Sequence, residues 1–135
     1  MIKTVLIIED DLVTMFLNRH LLEQDHFCEN IIEATSGDEA LSIFEKIKKG
    51  DLPPDHLPEI ILLDLNMPVM DGWEFFENFI NQFPEFVTKT KIFILSSSTD
   101  PKDQERAIND PNIAAYLSKP LDADEHFTII KTFIG

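Results

Sequence analysis

Residues 60–64 read Ile-Ile-Leu-Leu-Asp. Four consecutive apolar residues running into a carboxylate constrain the fold more than any other stretch of this chain. An unbroken apolar run of that length, bounded by turn residues, is how a strand buried on both faces reads. A strand buried on both faces implies a sheet covered on both sides. Asp64 then falls at the carboxyl end of a central strand, where open α/β sheets hold their ligands. Pro68 and Asp71-Gly72 supply turn chemistry after it. The plainer reading is a buried strand with an acidic end and a loop. The sharper one is an aspartate held at the mouth of a sheet as nucleophile or metal ligand.

The same grammar repeats along the chain. Lys3 to Ile8 is a first strand, ending in Glu9-Asp10-Asp11. Leu12 to Glu23 carries Val13, Phe16, Leu17, His20 and Leu21 as a helical stripe expected to face the core. His20 on that stripe reads as a packed histidine, and His26, His56 and His126 as surface residues. His26 to Glu33 is a weaker second strand. Thr35 or Ser36 caps the next helix, which turns Ala40, Leu41, Phe44 and Ile47 inward and stops at Gly50. Asp51 to Pro58 holds three prolines and reads as a loop. Glu59 to Asp64 is the third strand. A helix from about Trp73 to Asn81 follows, then a linker through Pro84 to Thr90. Lys91 to Leu95 is the fourth strand and ends in Ser96-Ser97-Ser98. Asp100 to Asn109 has only Ala107 and Ile108 to bury, which predicts a short, loosely held helix. Ile113 to Leu117 is the fifth strand, ending in Ser118-Lys119-Pro120. The last helix, about Asp122 to Phe133, places Phe127, Ile130 and Ile134 on one face.

Five strands alternating with helices predict an α/β fold with a parallel sheet and helices on both faces. Right-handed crossovers leave few topologies. The expected one is doubly wound and flavodoxin-like, with strand order 2-1-3-4-5. The switch point then lies between strands one and three.

That topology gathers chemistry at one edge. Strand one delivers Glu9 and Asp10, and strand three delivers Asp64. Three neighbouring carboxylates repel one another unless one takes a proton or a cation binds. A site of few carboxylate oxygens suits Mg²⁺, or Mn²⁺, which keeps several waters. Strand four adds the hydroxyl of Ser96, and strand five the ammonium of Lys119. A hydroxyl and an ammonium facing an acid cluster match the needs of a transferring phosphoryl group. Asp64 is then the nucleophile that forms an acyl phosphate. Singly, each residue has a plainer use. The acids could be a solvated loop, Ser96 a spacer before a helix cap, and Lys119 a surface cation.

Composition narrows the setting. The chain has 135 residues, enough for one domain with a sizeable core. It carries 25 acidic and 11 basic residues, a net charge of −14, which argues against a nucleic-acid surface. No apolar run is long enough to span a bilayer, and acids at Glu9 and Asp10 interrupt any signal-peptide core. The one cysteine, Cys28, excludes an internal disulfide framework. Together these features point to the cytoplasm.

The motifs resemble the receiver domain of bacterial two-component response regulators. The residues that carry the resemblance are Ile-Ile-Glu-Asp-Asp at 7–11, Leu-Leu-Asp-Leu-Asn-Met-Pro-Val-Met-Asp-Gly at 62–72, Leu-Ser-Ser at 95–97 and Tyr-Leu-Ser-Lys-Pro at 116–120. The resemblance covers essentially the whole chain and is to the stand-alone, chemotaxis-regulator type. The 2-1-3-4-5 order is that family's own and adds no separate support.

The resemblance implies a phospho-accepting Asp64, a Mg²⁺ ligand in Asp10 and a second acid in Glu9 acting through water. It implies that the backbone carbonyl of Asn66 completes the metal shell. Ser96 matches the switch hydroxyl, Tyr116 the switch aromatic and Lys119 the family lysine, followed by Pro120 across a cis bond. Glu-Asp stands in place of the commoner Asp-Asp, and Ser96 in place of threonine. The expected donor is a phosphohistidine on a sensor histidine kinase or a histidine phosphotransfer protein. The expected output is docking to another protein, by a single domain over 1–135 with no effector domain. Two alternatives are a Mg-dependent aspartyl phosphohydrolase and a binding module of this fold that is never phosphorylated. The first needs a second acid two residues after the nucleophile, where Asn66 stands.

Overall fold

A computed structural model describes residues 2–134. In chain order its elements are β1 (Ile2–Ile8), α1 (Leu12–Gln24), β2 (Cys28–Ala34), α2 (Gly37–Lys49), β3 (Ile60–Leu63), α3 (Gly72–Gln82), α4 (Pro84–Val87), β4 (Lys91–Ser96), α5 (Pro101–Asn109), β5 (Ile113–Ser118) and α6 (Glu125–Thr132). A single 3-10 turn, Pro54–His56, sits in the proline-rich loop. The five strands form one parallel sheet in the order β2-β1-β3-β4-β5, as the alternation predicts.

Side chains alternate across the sheet and build two cores. Leu6 and Ile8 of β1, Ile61 and Leu63 of β3 and Ile94 of β4 face Phe44 of α2 and Phe75 and Phe79 of α3. Val5, Ile7, Ile60, Leu62, Phe93 and Leu95 face Met15 and Leu22 of α1 and Phe127 and Ile130 of α6. All four residues of β3 are buried, as a strand covered on both faces requires.

Local chemistry sets the helix ends. Ser36 caps α2 by accepting from the Glu39 N–H, and Gly50 ends it in the left-handed conformation, at φ 81°. Asp71 and Glu74 form a reciprocal capping box at the start of α3. The 51–58 loop is tied to the sheet, since the Thr4 hydroxyl donates to the Asp55 carbonyl at 2.7 Å and the Thr90 hydroxyl to the Pro58 carbonyl at 2.8 Å.

Several expectations are corrected. The buried face of α1 is Met15, Asn18 and Leu22, while Leu12, Val13, Phe16 and Leu17 are 53–70% exposed and His20 is exposed too. The two sets lie about 200° apart around the helix at 100° per residue. The more apolar stripe is the solvent-facing one. His126, expected at the surface, is buried, and its Nδ1 accepts the Asp122 N–H at 3.0 Å. The 84–90 linker contains α4, whose Phe86 packs with Phe83 against Phe44. Ile108, offered as a buried anchor of α5, is 80% exposed. Helix α5 is nevertheless held, by polar contacts described below.

Candidate functional site

Parallel strands bring the loops after β1, β3, β4 and β5 to one edge of the sheet. Strand β1 ends at Ile8, and Glu9 and Asp10 follow. Glu9 is 2% exposed and Asp10 half-exposed at the rim. Asp11 turns away and caps α1 through the Thr14 N–H at 3.0 Å. Asp64 follows β3 directly and is 4% exposed. Glu9, Asp10 and Asp64 each offer a carboxylate oxygen within 4.8 Å of the others.

The loop after Asp64 is shaped by backbone. Gly72 donates its N–H to the Leu65 carbonyl at 3.0 Å, and a Cβ on Gly72 would lie 2.5 Å from the Asp64 carbonyl oxygen. Only glycine allows that approach. Val69, 96% exposed, sits at φ 68°, a strained position for a β-branched residue. Asn66 is exposed, and its N–H donates to Asp64 Oδ1 at 3.3 Å.

The remaining predicted groups arrive from β4 and β5. Ser96 is buried at the end of β4, and its Oγ accepts the Ser98 N–H at 3.0 Å. Lys119 follows β5 and its bond to Pro120 is cis. Its Nζ lies 2.6 Å from Glu9 Oε1 and 3.4 Å from Asp64 Oδ1. Tyr116, half-buried on β5, donates its hydroxyl to the Ser98 carbonyl at 3.0 Å.

Electrostatics follow from this geometry. Burial pushes the Asp64 carboxyl up to about 7, and the Glu9 charge adds to the rise. Lys119 and the Asn66 N–H pull the other way without cancelling it. Burial pulls Lys119 down, but its bond to Glu9 and the charges of Asp64 and Glu9 together leave it raised. One ammonium is thus shared between the two buried carboxylates, Glu9 holds it more closely than Asp64, and Asp10 adds a third carboxylate beside them. A pocket with surplus negative charge and oxygen donors on two adjacent loops fits a hard divalent cation.

Sequence reasoning missed a network beside this site. Ser98 Oγ donates to Asp103 Oδ2 at 2.6 Å, and Trp73 Nε1 donates to Asp103 Oδ1 at 3.0 Å. The Arg106 guanidinium stacks over the Trp73 ring at 4.2 Å and pairs with Glu77 at 2.7 Å. Trp73 and Glu77 lie some 30 positions from Asp103 and Arg106 in the chain, so no local pattern announces the bridge between the two helices.

Comparisons with known proteins agree with this architecture. Residues 5–131 match the response regulator receiver domain family. The polar-differentiation response regulator DivK of Brucella ovis is 30% identical over 135 residues, spanning all of this chain and 98% of its own. The crystal structure of a two-component response regulator from Cytophaga hutchinsonii superposes with a TM-score of 0.87 at 33% identity, covering 98% of this chain and 97% of that one. A response regulator receiver protein from Dyadobacter fermentans gives 0.80 at 26% identity, with 98% of each chain covered. The chain belongs to the response regulator receiver domain family. It is a receiver of two-component signalling, a phosphoacceptor in role. Among the described residues, no helix is long and apolar enough to cross a membrane.

Proposed function

We propose that Asp64 accepts a phosphoryl group from a phosphohistidine on a sensor histidine kinase or histidine phosphotransfer protein. The observation that carries this reading is the convergence of Glu9, Asp10, Asp64 and Lys119 at one edge of the sheet. An Asp64 carboxylate oxygen attacks phosphorus, the P–N bond to the donor imidazole breaks, and an acyl phosphate forms. Lys119 turns from Glu9 toward the phosphoryl oxygens and neutralises part of their charge. Ser96 donates its hydroxyl to another of those oxygens.

Asp10, Asp64 and the Asn66 carbonyl would hold Mg²⁺ (or Mn²⁺), with Glu9 acting through water. Bound there, the cation supplies charge neutralisation for the phosphoryl group. The same residues assist the later hydrolysis of the acyl phosphate. Residues 1–135 act as one receiver domain, in the cytoplasm, and the phosphorylated form docks to a protein target.

The solvent-facing stripe of α1 suits the donor. Leu12, Val13, Phe16 and Leu17 begin directly after the acid loop. A groove of about 460 Å³ continues from Leu17 and Leu21 to Lys119, Pro120 and Leu121. A helical phosphodonor seated there would bring its imidazole to the mouth of the sheet.

The test is treatment with acetyl phosphate and Mg²⁺, followed by intact-protein mass spectrometry. One added phosphoryl group is expected in the parent protein and none in Asp64→Asn. Unchanged mass in the parent overturns the reading.

A further inference from the structure

Helix α5 buries little apolar surface. Ala107 is its buried residue, and Ile108 points to solvent. What fastens it is polar. Both carboxylate oxygens of Asp103 are engaged, one by Ser98 Oγ and one by the Trp73 indole. Arg106, one turn later, lies on the same indole and reaches Glu77 on α3. Ser98 is the hinge of this arrangement. Its N–H donates to Ser96 Oγ, its hydroxyl to Asp103, and its carbonyl accepts from Tyr116.

We propose that Asp103 is a positioning residue that latches α5 to α3 in the unmodified protein and couples it to the site through Ser98. The proposal rests on Asp64 being the phosphoacceptor. When Ser96 Oγ turns to a phosphoryl oxygen, the Ser98 N–H loses its acceptor. The 96–98 segment then shifts, and the Ser98 bonds to Asp103 and Tyr116 shift with it. The latch therefore favours the unmodified state, and weakening it makes phosphorylation more favourable. By reciprocity, phosphorylation loosens the latch.

Trp73 is the one tryptophan of the chain, so its emission reports the latch directly. Beryllofluoride with Mg²⁺ is titrated into the parent, Asp103→Ala and Asp103→Asn, and binding is read independently by ¹⁹F NMR. The parent emission should change at saturation. Asp103→Ala should start with altered emission and bind beryllofluoride about five-fold more tightly, within the usual range of coupling between two sites. Asp103→Asn should resemble the parent, since its amide oxygen still accepts from Trp73 and its amide nitrogen donates to Ser98. Trp73→Phe, read by ¹⁹F NMR alone, opens the latch from the other side and should tighten binding likewise, which serves if Asp103→Ala does not fold. Binding at the parent affinity in Asp103→Ala or, failing that protein, in Trp73→Phe overturns the latch and leaves the phosphoacceptor reading standing. Absence of beryllofluoride binding in the parent overturns both.

Discussion

Asp64 shows how the site acts on the stability of its own scaffold. Its carboxyl titrates near 7 in the fold, against an ordinary value of 3.8. Between those values the folded protein holds a proton that the unfolded chain has released. Stability therefore falls as pH rises through that window, the reverse of a salt-bridged aspartate. Asp64→Asn removes the effect. In metal-free buffer it should be more stable than the parent at pH 8, by about 1–3 kcal/mol once the shared Lys119 is allowed for. The difference should vanish below pH 4. Urea melts at the two pH values check this, and a variant no more stable than the parent at pH 8 contradicts it. Val69 is a second residue whose conformation opposes its chemistry. A β-branched side chain at φ 68° costs about 1 kcal/mol or more. Val69→Gly should raise stability by about 0.5 kcal/mol, the rest being offset by the greater freedom of glycine when unfolded. Thermal melts with unchanged urea dependence are the measure. The conformation of Val69 is not legible in sequence. The crowding of carboxylates is, from the topology, but that Asp64 is the one to hold the proton depends on its burial and then on Glu9, 55 positions away.

At the scale of elements, strands were more legible than helix faces. A strand buried on both sides needs only a continuous apolar run, and β3 and β4 have one. A helix needs a decision about which stripe is inside, and α1 offers two. Its inward face includes Asn18, whose Nδ2 lacks a partner among the described residues, while its outward face is richer in large apolar groups. Periodicity favours the wrong one because it cannot tell an apolar stripe that faces the core from one that faces solvent. Helix α5 misleads in the opposite direction, since its anchors are Asp103 and Arg106. Magnitudes separate the alternatives for α1. Phe16→Ala would cost about 3–5 kcal/mol at a core position and under about 0.5 kcal/mol on a free surface. The second outcome is expected. If the stripe seats the phosphodonor, Phe16→Ala and Leu17→Ala should also slow phosphotransfer from a histidine phosphotransfer protein about ten-fold or more, in the range of an interface anchor. Phosphorylation by acetyl phosphate should be unchanged. Equal slowing with both donors would place the defect in the site, not in the docking face.

For the whole molecule, charge is the governing quantity. A net charge of −14 on 135 residues opposes compaction, and much of that opposition is diffuse and screened by any salt. The part concentrated at Glu9, Asp10 and Asp64 differs, since those oxygens converge within 4.8 Å and two of the three residues are buried. Screening by monovalent ions cannot reach them well, whereas a dication can sit among them. This distinction predicts two responses in one protein. Sodium chloride should raise the melting temperature gradually, equally in the parent and in Asp10→Asn. Mg²⁺ at ten times its dissociation constant should stabilise the parent by about 1.4 kcal/mol. That corresponds to roughly 4 °C for a domain of this size. The increment should survive at matched ionic strength and disappear in Asp10→Asn. At one fixed Mg²⁺ concentration it should also be larger at pH 8 than at pH 5, because at the lower pH Asp64 holds a proton that the cation must displace. A Mg²⁺ response equal to that of sodium at the same ionic strength would mean the cluster is only part of a diffuse anionic surface. The acids would then not be a metal site, and charge neutralisation at Asp64 would fall to Lys119 alone.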